Sequence, residues 1–206
     1  MPSDPDRFVV ITGGPGAGKT TLIDRLSAAG FGAKPEAGRA LIQDQLAISG
    51  PALPWLDPVL FTELSLAWEL YGYRAAAERP GAGPVFFDRG LVDVAAYYRL
   101  LGKPTPDHLQ RAAHTFRYNR TVFIAPPWRE IYCTDTERKQ TFDEGVRGYR
   151  LLAAAYPDYG YELVELPRAS VQERVEFVLD VLQVDVRPVG GQRVGGRRVG
   201  DLGVGG

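Results

Sequence analysis

Gly13-Gly14-Pro15-Gly16-Ala17-Gly18-Lys19-Thr20 decides how this chain is read. The run satisfies G-x-x-x-x-G-K-[ST], and the chemistry explains its residue types. A triphosphate carries several negative charges that must be wrapped closely. Small residues let the backbone approach the β-phosphate with its N–H groups turned inward. A helix opening at Lys19-Thr20 adds the positive end of its dipole. Lys19 supplies a mobile cation for the β- and γ-phosphate oxygens, and the Thr20 hydroxyl suits Mg²⁺. The expected nucleotide-binding set is Gly13, Gly14, Pro15, Gly16, Ala17, Gly18, Lys19, Thr20 and Thr21, with ATP and Mg²⁺ as its ligands.

The plain alternative is an ordinary glycine turn between strand and helix. The flanks argue against it. Phe8-Val9-Val10-Ile11 is a short apolar run rich in β-branched residues, suited to a strand buried on both faces. Thr20 to Ala29 follows, with Leu22, Ile23 and Leu26 at helical spacing and Gly30 as terminator.

Further along, Phe31 to Lys34 reads as a weak second strand and Glu36 to Ile48 as a helix with Ala37, Ala40, Leu41 and Leu46 on one side. Ser49 to Pro58 is a proline-rich loop. Asp57 caps a long helix reaching about Glu78, whose apolar stripe is expected to be Leu60, Leu64, Ala67, Trp68 and Tyr71. Strands are expected at Pro84–Phe87, Thr121–Ile124 and Tyr161–Leu166, and helices at Leu91–Leu101, from Pro104 to His114, within Asp135–Tyr156 and at Ser170–Val184. Ser170 with Glu173 forms a capping-box pattern. Alternating strands and helices point to an α/β fold with a parallel sheet.

The third strand ends on Asp88-Arg89-Gly90. An acid at that point of a P-loop protein sits beside the phosphate loop and holds Mg²⁺ directly or through water, which makes Thr20 and Asp88 the expected metal set. Arg89 adds information, since an ATPase needs only the acid. An Asp-Arg pair here resembles the Asp/Glu-Arg signature of deoxynucleoside and thymidylate kinases, where the arginine holds the acceptor substrate or phosphates. A capping Asp beside a solvated Arg is the bland alternative. Glu36, after the second strand, is the other candidate acid. Its segment Lys34-Pro35-Glu36-Ala37-Gly38-Arg39 looks like the Glu-x-x-Arg stretch of nicotinamide riboside kinases. It could accept a proton from a substrate hydroxyl, or be a first-turn Glu favoured by the helix dipole. Whether Glu36 or Asp88 is the base stays open.

After the fourth strand, Pro126 to Lys139 is a candidate lid. Lids of this kind close arginines over the transferring phosphoryl group and exclude water. Arg138 is the first choice for that role and Arg129 the second, with Lys139 and Arg147 behind them. Asp135 and Glu137 alongside also fit a solvated helix start. The expected catalytic set is Lys19, Asp88, Arg89, Glu36 and Arg138. Among the aromatics of the middle third, Trp68 reads as core, and Trp55 is left open.

Composition narrows the classes. The chain has 206 residues, room for one sizeable domain. A formal net charge of −1 gives no support for a broad nucleic-acid surface. A single cysteine, Cys133, forbids an intrachain disulfide, and no run approaches the ~20 apolar residues of a membrane span. A cytoplasmic protein acting on a small-molecule acceptor is expected, with no membrane partner. The domain is expected at 7–184. Arg187 to Gly206 is glycine-dominated, repeats Arg-Val-Gly and reads as a disordered tail.

Taken together, Phe8–Thr21, Pro35–Arg39, Val85–Gly90, Tyr118–Trp128 and Tyr161–Pro167 resemble the AAA_28 family of P-loop ATPases, related to the nicotinamide-riboside-kinase and small-molecule-kinase branch. The resemblance covers residues 7 to 184. It implies a five-stranded parallel sheet in the order 2-3-1-4-5, with helices on both faces and a lid. It leaves the substrate unspecified, and no arginine-finger helical subdomain of a ring motor is visible. Two activities fit: a kinase moving the ATP γ-phosphate to a hydroxyl of a nucleoside-, sugar- or antibiotic-like molecule, or a nucleotide-dependent ATPase switch acting on a protein or nucleic acid. The Asp88-Arg89 pair and the lid favour the kinase. Oligomeric state is not legible.

Overall fold

The computed structural model describes residues 4–81, 83–132 and 141–184. Five strands, β1 (Phe8–Gly13), β2 (Gly32–Lys34), β3 (Val85–Asp88), β4 (Thr121–Ala125) and β5 (Glu162–Glu165), form one sheet in the order β2-β3-β1-β4-β5. Every pairing is parallel. This is the expected order and fold class. Seven α-helices accompany the strands among the described residues: α1 (Lys19–Ala28), α2 (Ala37–Ala47), α3 (Pro58–Glu78), α4 (Leu91–Leu100), α5 (Asp107–Thr115), α6 (Phe142–Asp158) and α7 (Val171–Val181).

Period-two alternation divides the core between the two sheet faces. Phe8, Val10, Phe87, Val122 and Ile124 pack under α3, α4, α5 and α6. Val9, Ile11, Phe86, Phe123 and Ala125 pack under α1 and α7. Both faces are covered, so β1 is buried at every position, as its unbroken apolar run required. On the first face Phe8, Phe87, Tyr73 and Tyr118 form a cluster of edge-to-face and tilted ring pairs with centroids 5.0–6.3 Å apart. Register sets the site. Ile11 lies beside Asp88, so the end of β3 reaches the level of the phosphate loop.

Two sequence expectations need correction. The stripe Leu60, Leu64, Ala67, Trp68 and Tyr71 is not the buried face of α3. Tyr71 is 74% exposed and Leu60 37%. The face turned inward carries Thr62, Ser65, Leu66, Glu69, Tyr73 and Ala76. Thr62 and Ser65 satisfy their hydroxyls on the helix's own carbonyls of Pro58 and Phe61, which makes burial tolerable. Both sets have helical spacing, and hydrophobicity chose the wrong one because α3 turns polar groups toward the interior. On α2, likewise, Leu46 is 52% exposed, while Ala37, Leu41 and Ile42 are buried. Boundaries elsewhere agree closely. Thr141 and Glu144 form a capping box that starts α6 at Phe142. No helix among the described residues is long and apolar enough to cross a membrane.

Candidate functional site

The phosphate loop connects β1 to α1. Gly13 lies at φ +130°, and a Cβ there would sit 2.5 Å from the Ala125 carbonyl oxygen of β4. Only glycine fits that approach. Gly18 is the N-cap of α1 in the left-handed region, φ +77°, which turns the chain into the helix. Gly14, Pro15 and Gly16 form the crest of the loop. A Cβ on Gly14 would meet the Gly145 carbonyl of α6 at 2.7 Å, so α6 backs the loop directly. Lys19 is 4% exposed, and its Nζ donates to the Gly14 carbonyl at 2.9 Å, folding the cation across its own loop. Thr20 and Thr21 lie on the exposed first turn of α1.

The Ala17 carbonyl accepts a 3.0 Å hydrogen bond from Arg174 Nη1. Arg174 on α7 also donates Nε to the Pro167 carbonyl and lies with its guanidinium carbon 5.0 Å from the centroid of the Trp128 ring. Burial lowers its affinity for its proton. Neither Arg174 nor Trp128 was singled out by sequence reading, because their spacing carries no motif.

Asp88 closes β3 and is 1% exposed. Its Oδ2 accepts from the Thr20 hydroxyl at 3.0 Å, whereas Oδ1 has no hydrogen-bond partner. Burial pushes its carboxyl up from the ordinary carboxylate range, with Lys19 pulling the other way. A bare buried carboxylate oxygen beside a threonine hydroxyl is a donor set of the hard, oxygen-only kind that Mg²⁺ takes. The loop's glycines and Lys19 likewise fit a polyphosphate.

Arg89 follows at φ +71°, an uncommon conformation for a residue with a side chain, and one that costs of order 1–3 kcal/mol. Its N–H donates to the Ile11 carbonyl at 3.1 Å. Its side chain then turns to Glu36: Nε donates to Oε1 at 2.9 Å. Nη1 donates to Asp93 Oδ1 at 3.2 Å. Burial works against the charge on Arg89, but Glu36, Asp93 and Asp88 together outweigh it and hold the guanidinium above its ordinary range. Glu36 itself is the N-cap residue of α2.

Sequence reading missed Asp93, which anchors this arrangement. It accepts from the Thr12 hydroxyl, Arg89, the Gly90 N–H and the Tyr156 hydroxyl. One signal was present: Asp at the third position after Gly90 is an N-terminal capping pattern. A buried pair between Lys34 on β2 and Glu69 on α3 was also missed. Burial pushes the Glu69 carboxyl up to about 7 although Lys34 draws it down, and its Oε2 has no partner.

The fold therefore brings together Lys19, Thr20, Asp88, Arg89 and Glu36. Arg138 and Lys139 lie outside the described residues, as do Cys133 and the tail. Arg129 is exposed, with its guanidinium carbon 4.4 Å from the Phe142 ring centroid. Arg147 is exposed on α6, 3.9 Å from Glu144. Trp55 is 57% exposed.

Solved structures with this fold include a deoxyadenosine kinase from M. mycoides with products dCMP and dCDP, 14% identical, TM-score 0.62, covering 85% of this chain and 98% of that one. The NadR protein in complex with NR is 18% identical, TM-score 0.63, with 91% of this chain and 54% of that one covered. The chain thus spans about half the length of NadR. A thymidylate kinase from Ehrlichia chaffeensis is 14% identical, TM-score 0.55, covering 85% and 98%. At these identities the likeness is one of fold, that of P-loop kinases. No curated protein matches the chain in sequence. The AAA_28 family, an AAA domain, matches residues 8–174, most of the chain, and the protein belongs to that family.

Proposed function

We propose that the protein is a kinase that transfers the γ-phosphoryl group of ATP to a hydroxyl of a small molecule. One observation carries the reading. Asp88 links the two ends of the site: its Oδ2 touches Thr20 of the phosphate loop, and the next residue, Arg89, reaches Glu36 and Asp93. An ATPase needs the first link alone. The second is what an acceptor site requires.

Gly13 to Thr21 would cradle the phosphates, and Thr20 and Asp88 would hold Mg²⁺. The metal would supply charge neutralisation on the phosphate oxygens. Because Asp88 shares an oxygen with Thr20, we assign the base role to Glu36, with Arg89 fixing its carboxylate. The acceptor oxygen bonds to the γ-phosphorus as the bridge to the β-phosphate breaks. ADP leaves with that electron pair, and the hydroxyl proton passes to Glu36. Lys19, swung off Gly14, bridges the phosphates, and Arg138 is the proposed lid cation. The catalytic unit is residues 7–184, in a cytoplasmic enzyme.

The test is ADP release from the purified chain with MgATP, alone and with a library of hydroxylated small molecules. Stimulation by a compound, lost in Asp88→Asn by about 10²-fold or more, is the expected result. Slow turnover that no small molecule accelerates would replace the kinase with the nucleotide-dependent switch. Glu36→Gln should abolish stimulated turnover while leaving the Mg²⁺ requirement unchanged; undiminished turnover would return the base role to Asp88.

A further inference from the structure

A buried side chain grips the phosphate loop from another element. Arg174 stands near the start of α7, 157 residues from Ala17, and is only 2% exposed. Its guanidinium joins three segments that follow strands. Nη1 donates to the Ala17 carbonyl at 3.0 Å, in the loop after β1. Nε donates to the Pro167 carbonyl at 2.8 Å, after β5. The Trp128 ring, after β4, lies against it, with 5.0 Å between ring centroid and guanidinium carbon.

Packing alone does not call for arginine here. Nη2 is buried and donates to nothing, and an orphaned buried donor costs stability. Methionine would fill the space without an orphaned donor. What an apolar chain lacks is the donor that reaches Ala17.

That donor has a geometric effect. A planar trans peptide directs its C=O and its N–H to opposite sides. Holding the Ala17 carbonyl against α7 therefore turns the Gly18 N–H, the other half of the same peptide, away from α7. A Cβ on Gly18 would stand 3.1 Å from Nη1, so the guanidinium is pressed against this peptide and leaves it little room to flip. At the next residue α1 begins, where the N–H groups of the first turn have no partners within the helix and the dipole favours an anion. The glycines shape the rest of the loop, and this peptide is fixed from outside it.

We propose, resting on the reading of Gly13 to Thr21 as a phosphate site, that Arg174 is a positioning residue: it fixes the Ala17–Gly18 peptide so that the Gly18 N–H faces the bound phosphates, without itself touching the nucleotide. The dipole is then oriented by folding, before any ligand arrives.

The full chain and two variants, Arg174→Met and Arg174→Lys, are titrated calorimetrically with MgADP and with magnesium tripolyphosphate, which has phosphates but no base or ribose. Melting temperature is followed with and without each. Affinity for both ligands should fall by the same factor, at least about tenfold in Arg174→Met, or about 1.4 kcal/mol. The fall should be smaller in Arg174→Lys, whose ammonium can still donate to the Ala17 carbonyl. Should Arg174→Met not fold, Arg174→Lys carries the same comparison. A fall for MgADP without one for tripolyphosphate would move Arg174 to the nucleoside end and overturn the inference. A lower melting temperature with unchanged affinities would overturn it too, as the mark of a purely structural staple. No binding of tripolyphosphate by the unsubstituted chain removes the phosphate-site reading and the inference with it. Affinities lost as expected, in a chain whose turnover no acceptor stimulates, sink the kinase reading and leave Arg174 in its role.

Discussion

The two ends of the site are built by different means. The phosphate end is made of consecutive residues whose backbone does the work. Gly13 is glycine because Ala125 leaves no room for a Cβ, and Gly18 because the chain must turn left-handed into α1. The proposed acceptor end is made of side chains from β2, α3 and α4 and from the residues that precede α2 and follow β3, locked by hydrogen bonds to one another. A contiguous loop can lose one side chain and keep its shape. An interlocked set cannot lose a member without orphaning its neighbours.

That contrast is open to attack by substitution. The largest effect is expected for Lys19→Ala, about 10²–10³-fold or more in ADP release, with melting temperature almost unchanged. A collapse of folding would mean that the phosphate end is also side-chain built. Asp93→Asn comes next. It cannot accept from all of its donors, so stability should fall by about 2–4 kcal/mol in denaturant unfolding. The Michaelis constant of the acceptor should rise while that of ATP holds. An unchanged acceptor constant would remove Asp93 from its role of positioning Arg89.

Glu69 gives a smaller, pH-dependent effect. Its folded carboxyl titrates near 7, above its ordinary value of 4.5, so the folded state holds a proton that the unfolded chain has already lost. The stabilisation from that proton is fully present below about 4.5 and disappears as pH rises through about 7. Glu69→Gln should remove this component, of order 1–3 kcal/mol, so the stability difference between the two proteins should change across that window. Parallel stability curves from pH 4 to pH 8 would show that Glu69 is not buried against Lys34 as described. The smallest effect is reserved for deletion of residues 187–206, which should alter stability by no more than about 0.5 kcal/mol and leave turnover alone. A larger loss would join the tail to the domain.

The sequence by itself determined the phosphate loop, the alternation of strands and helices that implies a parallel sheet, and Asp88-Arg89 at a strand end; the order of the strands came only from the family resemblance. These rest on neighbours along the chain: a β-branched run, glycines at fixed offsets, a lysine at a helix start. Only the tertiary structure decided which face of α3 turns inward. Two stripes on that helix have equal periodicity, and the more apolar one faces out because Glu69 is required by Lys34, 35 residues away. Asp93 shows the same limit from the other side. Its capping position was legible, but its hold on Arg89, Thr12 and Tyr156 needed three elements to meet. Sequence spacing reports what a segment does to itself. Partners that are distant along the chain are chosen by packing, and the acceptor end consists almost wholly of such partners.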